Sequence, residues 1–167
     1  MRELATMAVV LGSEGRREAD LQFALFTEKY GKIYAKARSA RKITSKLHPH
    51  LQVGFLARVR LVEKNEPLII DALSAGRVSA GADDLHRLEK LLPEWHPEED
   101  LWNGLMEQDF SWIKILQILG WDPALSVCML CGARAPEHFS LSAQQYYCLR
   151  CSPGLAVPED VPLFRFT

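Results

Sequence analysis

Cys128, Cys131, Cys148 and Cys151 stand in two short words, CMLC and CLRC, separated by sixteen residues. Each C-x2-C turn sets two thiolates on one side of a cation, and the stretch between the turns brings the second pair round to close a tetrahedron. Zinc ribbons use this spacing. Gly132 follows the first pair, where a knuckle often needs a positive φ. The segment HFSLSAQQYYC reads as a β-hairpin returning to the second pair. Four thiolates leave no open coordination position, so the reading is a structural zinc ion rather than a catalytic one. A redox dithiol, an iron–sulfur cluster and unrelated buried cysteines are the alternatives. His138 is either a substitute ligand or a hydrogen-bond donor to a ligand, or a plain surface residue.

A second chemistry lies in the charge. The chain has a formal net charge of −1, yet residues 1–62 carry 12 basic and 5 acidic side chains, and residues 63–109 carry 4 and 12. From Lys29 to Val62 there are nine basic residues and no acid. Such segregation points to a polyanion partner. The acidic segment either docks a basic partner or folds onto the basic strip and masks it.

Short strands must carry that strip. TMAVVLG, LQFALFT, KIYAKARSA, GFLARVRLVEK and LIIDALSAG are five short runs separated by turn residues, a spacing that predicts a small antiparallel barrel. Five strands in about 75 residues suit the OB-fold; an SH3-like barrel is the alternative. Because side chains alternate along a strand, Lys32, Tyr34, Lys36 and Arg38 share one face, and Ile33, Ala35 and Ala37 share the inner one. Phe55, Ala57, Val59 and Leu61 point opposite to Leu56, Arg58, Arg60 and Val62. Arg41, Lys42 and Lys46 lie in the loop between these strands, ahead of His48 and His50. The expected phosphate contacts are Lys32, Lys36, Arg38, Arg41, Lys42, Lys46, Arg58 and Arg60, with Tyr34 as a base-stacking platform. Nothing offers an obvious base-edge reader, so little sequence preference is expected.

From Gly81 the periodicity becomes helical. Asp83 or Asp84 is the expected cap of a helix through LHRLEKLL, ended by Pro93. PEEDLWNGLME starts a second, with acids in its first turn. DFSWIKILQILGW gives a third, stopped at Gly120. The fold class is therefore α+β: a five-stranded OB-fold barrel over 1–80, then, over 81–167, a small helical region with a four-cysteine zinc-ribbon-like element.

The composition, 48% hydrophobic and 25% charged, is ordinary for a globular protein. The N-terminus does not read as a secretory signal, and no apolar run reaches the ~18 residues of a membrane span, so a cytoplasmic location is expected. No phosphate-cradling glycine loop, H-E-x-x-H or G-x-S-x-G is present. The chain is not expected to be an enzyme or to take a small-molecule substrate.

Four segments in order resemble a bacterial family, the DNA repair and recombination protein RecO. LFTEKYGKIYAKARSARKITSKL is similar to the family's second and third strands, with Ser39 where glycine is common. LLPEWHPEEDLWNGL is similar to a segment of its helical region, ILGWDPALSVCMLCG to the run entering its zinc element, and FSLSAQQYYCLRC to the hairpin that returns. The resemblance covers most of the chain. It implies an OB-fold, a helical region and a four-cysteine zinc element. It also implies binding of single- and double-stranded DNA, strand annealing, help in loading the RecA recombinase, and partnership with RecR and the acidic tail of single-strand-binding protein. Family members are usually longer; here the helical region before the cysteines is shortened, and helices after the second pair are absent. An RNA-binding OB-fold and zinc-ribbon module of the translation or transcription machinery is the alternative.

Overall fold

The computed structural model describes residues 2–16, 19–40, 45–63, 65–155 and 163–166. The chain divides into two compact units, Met1–Asp109 and Phe110–Thr167.

The first unit is built on five strands: β1 (Arg2–Gly15), β2 (Leu21–Thr27), β3 (Gly31–Ala37), β4 (Phe55–Glu63) and β5 (Pro67–Arg77). They close into a barrel in the order β1-β2-β3-β5-β4. β1 makes the closure possible because it is long enough to serve two partners. Its first half, Arg2–Val9, pairs with β4, and its second half, Ala8–Gly15, pairs with β2, with a bulge between Val10 and Gly12. A bulge bends a strand and increases its twist, which a small barrel needs. β3 and β5 seal the remaining seam by a single parallel bridge, Lys36 to Leu68. This order, with one parallel pair in an otherwise antiparallel barrel, is that of the OB-fold.

The alternation read from sequence is realised in the barrel interior. Ile33, Ala35, Ala37, Ala57, Val59 and Leu61 are all buried, beside Phe23, Leu25 and Leu4. The small alanines let opposite walls approach, so five strands suffice to enclose a filled core.

Two helices complete this unit: α1 (Ala82–Leu91) and α2 (Glu99–Met106). The helical boundary expected at residue 80 therefore falls inside a unit that runs to Asp109. The reason is burial: α1 packs on β1 through Leu85 and Leu88, both fully buried, and Trp102 of α2 meets Phe26 of β2 with ring centroids 5.8 Å apart. The residue at the cap of α1 is Gly81, which has no side chain to cap with; Asp83 and Asp84 occupy the first turn, where negative charge suits the helix dipole. The chain between the helices crosses the β2–β3 turn so closely that a Cβ on Gly31, which has φ +71°, would sit 2.1 Å from the His96 carbonyl oxygen.

The second unit holds α3 (Trp112–Ile118) and a three-stranded sheet of β6 (His138–Ser140), β7 (Gln145–Tyr147) and β8 (Leu163–Arg165), in the order β7-β6-β8. Phe139 is its centre, packed on Trp121, Tyr146 and Phe164. Gly120, at φ +91°, ends α3 as expected. Among the described residues no helix is long and apolar enough to cross a membrane.

Candidate nucleic-acid groove and metal centre

The four cysteine sulfurs lie within 4.8 Å of one another, and they form the only such cluster of potential metal ligands among the described residues. The first pair is held in a turn in which the Gly132 N–H donates to the Cys128 carbonyl, with Gly132 at φ +70°. The β6–β7 hairpin returns the second pair, and the Met129 N–H donating to the Tyr146 carbonyl locks one turn to the other. Cys131 Sγ and Cys148 Sγ are 3.7 Å apart. That is close to the edge, about 3.8 Å, of a tetrahedron whose corners lie ~2.3 Å from a central zinc. Burial pushes the Cys128 thiol up, but backbone N–H donors from Cys148, Cys131 and Leu130 outweigh it and bring the group down to about 6. Cys148 is lowered chiefly by the Cys151 N–H. Cys151 is pushed up to about 12 because its proton is shared first with Cys148 and then with Cys131. Four sulfurs this close together, with backbone N–H groups favouring thiolate at Cys128 and Cys148, are the donor set of a thiolate cation site. These four residues can hold a metal ion. His138 is not in the cluster; it lies in β6, opposite Tyr147 and Arg165.

The basic strip divides into residues that face a groove and residues that do not. Three cavities run in succession along the outside of β3. The first, about 300 Å³, lies between α1 and the β1–β2 side of the barrel, and Arg16, Gln22 and Tyr34 are common to it and the second. The second, about 310 Å³, passes Lys36 and the β4–β5 turn at Asn65 and Glu66. The third, about 520 Å³, shares those residues and ends beside Arg38 and Leu68. Shared walls make them one groove, on the strand 2–3 face where OB-folds take oligonucleotides.

Lys36 and Arg38 line this groove as their alternation predicts. Lys36 is half-screened by Asp20 at 3.7 Å, while Arg38 is exposed. Lys32 is a correction, and Tyr34 is open on one side only. Both point outward from β3, but α1 covers Lys32 and meets one edge of Tyr34, which still lines two of the cavities. Lys32 is 6% exposed, and its Nζ donates to the Glu89 carbonyl at 2.8 Å; Tyr34 Oη donates to Glu89 Oε1 at 3.0 Å. Burial lowers the Lys32 pKa against the opposing pull of Glu94 and Glu89, and burial together with Glu89 raises that of Tyr34. Lys32 is thus a buried strut, and one edge of Tyr34 is committed to the helix. Part of the acidic segment does fold onto the basic strip, with Glu89 over Lys32 and Tyr34 and Glu66 beside Lys36.

Arg58 and Arg60 are exposed, but on β4, flanked by β1 and β5, and they line none of the three cavities. Arg60 is paired with Glu3, its Nε donating at 3.0 Å. Lys46 is exposed in the β3–β4 connection, where His50 is tied to Ser74 of β5. Arg41 and Lys42 lie outside the described residues. Sequence reasoning passed over Arg16, Gln22, Asn65, Glu89 and Lys90. Arg16 sits in a visibly polar turn; no periodicity signals that Glu89 and Lys90, far along the chain, complete the wall.

Residues 1–72 match the family described as recombination protein O N terminal. The chain is 26% identical over 178 residues to the DNA repair protein RecO of Thermoanaerobacter sp. strain X514, a match covering 90% of this chain and 72% of that protein. It is 27% identical over 157 residues to the DNA repair protein RecO of Pelobacter propionicus, covering 75% of this chain and 61% of that protein.

Proposed function

We propose, on the premise that the chain is a RecO family member through its N-terminal 72 residues, that it is a DNA repair protein that binds single-stranded DNA along the β3 groove and anneals complementary strands. The observation that carries this reading is the groove itself: Arg16, Lys36, Arg38 and Lys90 line one continuous channel on the OB-fold's ligand face. Cations spaced along a channel match phosphates spaced along a strand, and each phosphate neutralised releases condensed counterions. Annealing needs no catalytic side chain, only a surface that screens the repulsion between two strands.

The cysteine cluster holds zinc in this reading. Its role is to fix the hairpin of the second unit, since four thiolates leave no position for substrate. Binding of duplex DNA, contacts with RecR and with the acidic tail of single-strand-binding protein, assistance to RecA, and action in the cytoplasm on the nucleoid belong to the same proposal. The names of the two relatives, DNA repair protein RecO, support the DNA-repair part of it.

Fluorescence anisotropy with labelled single-stranded DNA across a salt series tests it. Affinity falls steeply with salt, and R38A reduces the slope of log K against log salt by about 0.7, while R58A leaves it unchanged. Undetectable binding at about 50 mM salt overturns the reading, and a preference for RNA in direct competition transfers it to the RNA-binding alternative.

A further inference from the structure

The α1 end of the groove has a feature that phosphate binding does not explain. Glu89 is a carboxylate with a side chain only 8% exposed, set into the wall of a cavity that Arg16, Lys90, His86 and Glu14 also line. Burying a carboxylate is costly unless its oxygens are paired. Tyr34 satisfies Oε1 at 3.0 Å, which anchors α1 to β3. The second oxygen has a weaker partner: His86 Nδ1 lies 3.4 Å from Oε2, on a ring that is half exposed. Oε2 lies over Gly12, where an added Cβ would come within 2.9 Å of it. The bulge at Val10–Gly12 sets this glycine at the wall, and the absence of a side chain lets the carboxylate come this close to the strand. Gly12, Glu89, the Tyr34 ring and the Gln22 amide border the same cavity of about 300 Å³, a size at the lower end of small-ligand pockets.

We propose that this cavity takes one unstacked nucleobase of the bound strand and that Glu89 Oε2 accepts a hydrogen bond from its exocyclic amino group. The ligand class is an amino-bearing base: cytosine, adenine or guanine. A carboxylate has acceptors only, so it pairs with the amino group of cytosine. Uracil or thymine presents a carbonyl oxygen at the same position, which faces the carboxylate with no proton between them and leaves both groups unpaired. The groove therefore has a base preference at one end and indifference along the rest. This inference rests on the proposed binding of single-stranded DNA in the groove.

The test compares oligodeoxycytidine with oligodeoxyuridine of equal length by anisotropy at one salt concentration. The wild-type protein binds the cytidine strand tighter by about fivefold or more. E89Q keeps the shape and still accepts from Tyr34, but its amide also donates, so the ratio falls to about one. G12A is the second variant: its methyl displaces Oε2 without touching the cationic part of the groove, and it lowers the ratio while binding is retained. Equal affinity of the wild type for both strands overturns the base pocket and leaves the binding reading intact. So does a preference that survives in both variants. Absence of binding to either strand overturns both.

Discussion

Lys32 and Tyr34 show how far a residue's role depends on what is laid over it. Both face outward from β3, and both carry groups suited to nucleic acid, yet Glu89 engages them through its carbonyl and its carboxylate. Their ionisations oppose each other in alkali. Lys32 has a folded pKa below its ordinary 10.5, so its contribution to stability rises as pH climbs from the folded value towards 10.5. Tyr34 has a folded pKa above its ordinary 10.0, so its contribution is complete below that pH and is lost as pH rises through the folded value. Relative to wild type, Y34F gives a stability that rises more, or falls less, between about pH 10 and 11, and K32M gives one that falls more. Urea unfolding at several pH values reads both slopes. At neutral pH, Y34F lowers stability by about 1.5 kcal/mol through loss of a charge-assisted bond in a buried setting.

At the scale of elements, the grooved face of the barrel is shaped by a helix from outside the barrel. α1 is held by fully buried Leu85 and Leu88, and the strap after it by Trp95 N–H donating to the Lys32 carbonyl at 2.9 Å. It is part of the core packing, so the acidic segment buries Lys32, while Lys36, beside Asp20, and the exposed Arg38 line the groove. The strap depends on Gly31. G31A places a methyl into the His96 backbone and forces an L side chain into positive φ, so we expect a loss of about 3 kcal/mol or failure to fold. Thermal melting measures it, and a stability within ~0.5 kcal/mol of wild type contradicts the close approach.

At the scale of the whole molecule, two units are stabilised by different means. The barrel unit has a filled interior; the second unit has a small aromatic core around Phe139 and four cysteines at its hairpin. Small cores need a staple. Purified protein should hold about one zinc per chain, and strong chelation or C128S should melt the second unit while the far-ultraviolet strand signal of the barrel persists. Simultaneous loss of both signals in one transition would contradict this independence. The sequence by itself determined the parts ruled by local spacing: the cysteine cluster, from C-x2-C turns with Gly132 between them; the barrel, from strands alternating around Ile33, Ala35 and Ala37; and helix ends such as Gly120. These were legible because a strand's period of two and a knuckle's turn are fixed by the backbone within a few residues. Tertiary structure alone decided which outward cations line the groove. Lys32 lies 57 residues from Glu89, and no local pattern records that a helix so distant would bury one end of a strand, add Lys90 to the groove and set a carboxylate in its wall.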